Sequence, residues 1–280
     1  MLPPDLRRKL SKLNTADAAA PELAVSPCHP VPASPGMPSR LEDLIPGRVH
    51  ARDSGSLYIV ERRIEEIHPS GSDGIISAVE MLRRLKIAPE EALFLDIETC
   101  GLANCPLFLV GTMSLREGGL LIEQFFARDY AEEPVLLEHL IEVISPYRML
   151  VTFNGKSFDI PYMRDRMTFH RMRHRFEHEH LDLLLEARRL WRGEFPDCRL
   201  QTLEEHVCGR RRCGDTPGHL IPQLYHDYVR TGNAAPLEGI FHHNALDIIT
   251  MAELLPAILT KPENTDDTEG NGGYRGMGKG

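Results

Sequence analysis

Nothing in the sequence approaches the ~20 consecutive apolar residues that a membrane-spanning helix needs. Residues 1–13 also lack the apolar core of a secretion signal. Neither a membrane protein nor a secreted one is expected. Cysteine is sparse, six in 280 residues at irregular spacing, so no disulfide framework is expected and reduced thiols in a cytoplasm are. Cys208 and Cys213, with His206 and His219 nearby, fit no common zinc-ligand spacing. No glycine fingerprint for a nucleotide follows any strand-like run, and there is no internal repeat. Basic excess is missing too. A net charge of −9 argues against a protein that coats nucleic acid without specificity. There is a single tryptophan, Trp191, and its spacing from Leu184, Ala187 and Leu190 assigns it to a core.

What is present supports one sizeable folded unit, since 42% of the chain is hydrophobic. Residues 1–40 are mostly rich in Pro, Ala and Ser and cannot bury enough to order themselves, a short helix over residues 5–13 aside. Residues 260–280 are a polar, Gly-rich tail. Residues 41–90 read as a lead-in hairpin and helix, with a strand at 57–62 and the helix at 75–85, and residues 91–259 as the main domain. That domain opens with strand-like runs at 92–96, 107–115 and 120–127, and Gly118-Gly119 signals a hairpin turn between the last two. An amphipathic helix at 134–144, a buried strand at 148–153 and mostly helical sequence follow, broken by an extended run near 180–183. A hairpin, a crossover helix and a parallel strand predict a mixed α/β sheet flanked by helices rather than a doubly wound parallel one.

Chemistry concentrates in three acidic motifs. Asp96 and Glu98 end an apolar strand, and residues i and i+2 of a strand share a face. Like charges so close repel unless a cation sits between them. Asp159 follows an Asn154-Gly155 turn at the end of the fourth strand. If that strand is the parallel neighbour of the first, Asp159 arrives beside Asp96 and Glu98. Asp247 lies in an otherwise apolar late helix, where an unpaired carboxylate is costly. Four carboxylates roughly neutralise two divalent ions, and hard oxygen donors favour Mg²⁺ or Mn²⁺ over zinc. A nearby histidine supplies a general base. His243 shares the face of Asp247 four residues later if the helix reaches back that far, whereas His242 points more toward Ala245 and Ile249. A helix capped at Asn244 would leave both histidines in a loop.

Asp96-x-Glu98, Asn154-x3-Phe158-Asp159 and the His pair before Asp247 resemble the motifs of DEDD exonucleases in the ribonuclease H-like superfamily. The longer pattern resembles the YprB-type ribonuclease H-like family. It adds Leu44-Ile45-Pro46-Gly47, His180-x-Asp182-Leu183-Leu184, Arg188-Arg189-Leu190-Trp191, Asp215-x-Pro217-Gly218 and His243-Asn244-x2-Asp247. The resemblance implies a ribonuclease H-like mixed five-stranded sheet, a two-metal site on Asp96, Glu98, Asp159 and Asp247, and 3′-to-5′ hydrolysis of DNA or RNA, with single-stranded ends as the partner. DEDD subclasses place a histidine five residues before the last Asp or a tyrosine four before it. This chain has histidine at both places, so the base is His243 or His242, and the helix-face argument favours His243.

Substrate contacts are expected from Thr99, Asn154 and Asp182, and from Arg171, Arg173 and Arg175 within an Arg-rich stretch. His180, on the same strand face as Asp182, is a further group that could approach the metals. The competing expectation is a non-catalytic ribonuclease H-like module that binds nucleic acid or protein. Against it stands Asp247, since a relic has no reason to keep a costly buried carboxylate. A small-molecule phosphodiesterase is a third reading.

Overall fold

The computed structural model describes residues 39–67, 72–116 and 119–261. The expectations for residues 1–38, for Gly118 and for residues 262–280 lie outside the described residues. Seven strands form one sheet. In chain order they are β1 (Arg48–Arg52), β2 (Gly55–Arg63), β3 (Ala92–Thr99), β4 (Leu107–Arg116), β5 (Gly119–Phe126), β6 (Met149–Thr152) and β7 (Glu179–Asp182). Their spatial order is β1-β2-β5-β4-β3-β6-β7, antiparallel up to β3 and parallel across β3, β6 and β7. The principal helices are α1 (Ser72–Arg84), α2 (Glu133–Ile144), α3 (Asp159–Phe169), α4 (Leu183–Trp191), α5 (Leu200–His206), α6 (Ile221–Thr231) and α7 (Leu237–Thr260).

The expected mixed sheet is present, but with seven strands rather than five. The five run from β5 to β7, and the lead-in hairpin extends them by pairing β2 with β5 from Tyr58 opposite Phe126 to Arg63 opposite Leu121. The burial of Leu57, Tyr58, Ile59 and Val60 on both sides of β2 explains why the hairpin joins the sheet instead of standing apart from it.

Alternation along β3 divides the molecule. Leu93, Leu95 and Ile97 pack with Leu136, Leu140, Met163 and Tyr225 of α2, α3 and α6. Phe94 packs on the other face with Leu82, Leu183, Ile248 and Ala252 of α1, α4 and α7. Asp96 and Glu98 follow Phe94 at two-residue spacing, so they open onto the α7 face. Trp191 is buried in that second core, as its spacing predicted. Cys100, Cys105, Cys198 and Cys208 are free thiols.

Candidate active site

Three elements bring the acids together. Asp96 and Glu98 come from the C-terminal end of β3, next to a register shift at Glu98/Thr99. Because β6 lies parallel beside β3, the turn after β6 returns at the same end of the sheet. Asn154 makes that turn with φ +68°, and Asp159 is the first residue of α3. Asp159 is buried, and the backbone near Ile97, the residue between Asp96 and Glu98, favours its charged form. Asp247 comes from α7, which crosses this face.

These carboxyls feel one another. Asp96 is pushed well above the ordinary carboxylate range, first by burial and then by Asp247, Glu98 and Asp159, with a hydrogen bond from Asn244 opposing. Glu98 is pushed up to about 8, chiefly by burial; His243 opposes, while Asp247, Asp159 and Asp215 add repulsion. Asp159 is raised to about 7, again mainly by burial, with Asp182 and Asp247 contributing. The site is short of positive charge.

Two cations answer part of that deficit, and both lie on Asp247. Arg212, whose side chain is buried, has Nη1 2.6 Å from Asp247 Oδ1 and 3.1 Å from Asp215 Oδ2, and Nε 2.6 Å from Glu204 Oε2. His243 has Nε2 3.7 Å from Asp247 Oδ2. On its other side His243 Nδ1 lies 3.0 and 2.9 Å from the two oxygens of Asp215. A carboxylate only accepts, so Nδ1 carries the proton and Nε2 faces the acids. Burial alone would lower the His243 pKa, but Asp215, Asp247 and Glu98 together raise it to about 9. Burial alone would raise Asp215, yet His243 and Arg212 hold it below its usual value.

Because α7 begins at Leu237, both histidines are helical and the loop alternative is removed. His243 is buried and shares the Asp247 face. His242 is exposed, whereas Ala245 and Ile249 are buried, which corrects the expectation that His242 points toward those two. Asp215 and Arg212 were not singled out as site residues from sequence. The Asp215-x-Pro217-Gly218 motif was the available signal, but it lies 28 residues before His243, and only the fold closes that gap.

The expected substrate contacts divide. Asn154 lines a cleft of about 480 Å³ together with Asp96, Asp247, Phe153, Arg188 and Arg199. Asp182 is turned to structure instead. It is buried and accepts from the backbone N–H groups of Asn154 (2.9 Å), Lys156 (3.0 Å) and Leu184 (3.1 Å), which fixes the turn and caps α4. Thr99 Oγ1 donates to the Gly101 carbonyl at 2.8 Å. His180 Nε2 pairs with Thr152 Oγ1 at 2.8 Å, and burial lowers its pKa to about 4. Arg171, Arg173 and Arg175 are exposed but lie beyond the far end of α3, which starts at the site with Asp159 and leads away for about 16 Å at 1.5 Å per residue. The segment that carries them feeds the N-terminal end of β7, opposite the acids, so these arginines do not border the cleft.

Among the described residues, no three or more His, Cys, Asp or Glu side chains form a ready metal cage. The donor set nonetheless fits hard divalent ions. The groups are all carboxylates, they repel one another, and Asp96 and Asp247 line an open cleft; Mg²⁺ in particular is usually held by one or two carboxylates and completed by substrate phosphate and water. No helix among the described residues is long and apolar enough to cross a membrane.

The chain is similar to the uncharacterized protein YprB of Bacillus subtilis (strain 168), at 35% identity over 168 residues, 58% of this chain and 40% of that protein. The chain thus matches less than half the length of that curated relative. A solved structure with a similar region is the family B DNA polymerase of the hyperthermophilic archaeon Pyrobaculum calidifontis, with a TM-score of 0.47, 14% identity and coverage of 60% of this chain and 24% of that one. Residues 93–259, well over half of the chain and the stretch that carries every one of the four acids, match the model of the RNase_H superfamily, and the chain belongs to that superfamily.

Proposed function

We propose that the chain is a metal-dependent nuclease that removes nucleotides from the 3′ end of DNA or RNA. One observation carries this reading: Asp96, Glu98, Asp159 and Asp247, from β3, α3 and α7, act on one another's charge, and two of them, Asp96 and Asp247, line an open cleft. These four carboxylates would hold two divalent ions, Mg²⁺ or Mn²⁺. When bound, such ions polarise the phosphodiester and acidify water. Single-stranded ends suit a cleft of this size better than a continuous duplex. A cytoplasmic setting belongs to the same proposal.

The protein's own groups do the rest. Arg188 and Arg199, at the cleft wall, offer cationic contacts to backbone phosphates of a bound strand. His243 stays protonated at neutral pH while the acids keep their charge, and in that state it is a counter-ion. Once the acids are neutralised it loses that hold. Nε2 then accepts a proton from attacking water while Nδ1–H stays on Asp215. Asp215 therefore fixes both the tautomer and the direction of the ring.

A second reading is favoured by Arg212. Its guanidinium already sits on Asp247, as expected of a module that has replaced metal with an internal ion pair and binds without cutting. Release of nucleotide from a uniformly labelled single strand separates the two. The nuclease reading expects release with Mn²⁺, none with chelator, and a loss of at least ~10²-fold in Asp159→Asn. A folded protein that binds the strand and releases nothing under any metal would establish the binding module instead.

A further inference from the structure

A row of three residues crosses the sheet beside the acids. Asp96 on β3 is the register partner of Gly111 on β4, and Gly111 is the partner of Gln124 on β5. Register partners point to the same face, so Asp96 and Gln124 flank a position that has no side chain, about 9–10 Å apart across two strand spacings. Asn244 of α7 lies in that gap. A Cβ on Gly111 would come within 2.1 Å of Asn244 Oδ1 and 2.5 Å of Ile248 Cδ1, so only glycine lets the Asn244 amide settle there.

The hydrogen bonds along the row have a forced direction. Arg62 only donates, and its Nη2 lies 2.5 Å from Gln124 Oε1. Gln124 Nε2 therefore points the other way, donating to the Phe241 carbonyl and to Asn244 Oδ1, each at 2.8 Å. The Phe241 carbonyl can only accept, which fixes the Gln124 amide a second time. With its oxygen engaged, Asn244 must present Nδ2, which donates to Asp96 Oδ2 at 2.8 Å. Gln124 and Asn244 are both fully buried, so water does not offer either amide an alternative partner.

We propose that Arg62, Gln124 and Asn244 are positioning residues that form a directed hydrogen-bond chain aiming the Asp96 carboxylate. The chain holds Oδ2 of Asp96 and leaves Oδ1 for a cation in the cleft. It starts at β2, in the hairpin that precedes residues 93–259, the stretch matching the family model, so the added strands support the site as well as widening the sheet. The proposal rests on the metal-site reading above.

Gln124→Glu separates a directed chain from a simple charge effect. A glutamate keeps the contact with Arg62 but has no N–H for Asn244. The Asn244 amide then turns and sets its oxygen against Asp96. Charge alone would make this variant bind a cation as tightly as the parent or tighter, since it adds a negative group. The chain predicts weaker binding, by about 10–100-fold as is usual when the partner of a ligand is removed. The measurement is the Mn²⁺ dissociation constant of the full chain, by calorimetry, with circular dichroism to confirm the fold. Gln124→Met, which removes the amide that engages the Asn244 oxygen and adds no charge, frees the Asn244 amide to turn and is expected to weaken Mn²⁺ in the same direction. It decides the matter alone should Gln124→Glu not fold. Folded variants that bind Mn²⁺ like the parent, or more tightly, overturn the chain while leaving the metal site intact. A parent that binds no Mn²⁺ overturns the metal site itself, and the chain with it.

Discussion

At the scale of single residues, the environment of His243 explains why two adjacent histidines are not equivalent. His243 is buried between Asp215 and Asp247; His242 is exposed on another side of α7. His243→Ala should lower the metal-dependent rate by about 10²–10⁴-fold, with Mn²⁺ affinity near that of the parent. His242→Ala should change rate and melting temperature little, because its side chain leaves no cavity. Steady-state rates of the two variants check this, and an inactive His242→Ala beside an active His243→Ala would reverse the assignment. A second histidine gives a pH signature away from the site. Burial, His50 and Arg52 lower the His139 pKa to about 4, and its Nδ1 lies 3.0 Å from the Arg52 guanidinium. The folded state therefore binds fewer protons than the unfolded one between about pH 4 and 6.5, and stability falls as pH falls through that window. His139→Gln should show a smaller loss of melting temperature from pH 6.5 to pH 4 than the parent; parallel curves would count against it. The sequence showed the acids and both histidines, but not Asp215 or Arg212, whose place depends on a loop that returns to α7 only in three dimensions.

Among the elements, the strands were the most legible. Continuous apolar runs such as residues 107–115 are buried on both faces and have no other plausible state. The start of α7 was less so. Leu237, Ile240 and Phe241 extend its buried side one and a half turns before the motif, and Pro236 precedes its first residue. The Arg-rich stretch misled for a topological reason. Sequence proximity to Asp159 suggested nearness to the acids, but α3 leads away from them, and Arg188 and Arg199 stand at the cleft instead. Replacing Arg188 and Arg199 with glutamine should weaken strand binding and flatten its salt dependence, by a slope of roughly one per lost phosphate contact. The same change at Arg171, Arg173 and Arg175 should leave that slope unaltered. Binding titrations at several salt concentrations distinguish the two sets, and the opposite pattern would return the substrate path to the α3–β7 connection.

For the whole molecule, the sheet order places parallel strand ends, a helix start and a crossing helix at one edge, and the acids follow from that order. Asp96, Glu98 and Asp159 share the C-terminal ends of β3 and β6, and α7 lays Asp247 across them. The alternation along β3 was enough to foresee the shared face of Asp96 and Glu98. The addition of the hairpin to the sheet was not foreseeable, because an apolar β2 could equally have packed elsewhere. We propose that this edge hydrolyses phosphodiester bonds from a 3′ end using divalent ions. Purified protein with Mn²⁺ and 5′-labelled single strands of DNA and RNA tests it in one gel. A ladder of labelled products shortening one nucleotide at a time, absent with chelator and absent in Asp96→Asn, is the predicted result. Immediate release of labelled mononucleotide would show attack from the 5′ end, and intact strands at every metal concentration would contradict the account.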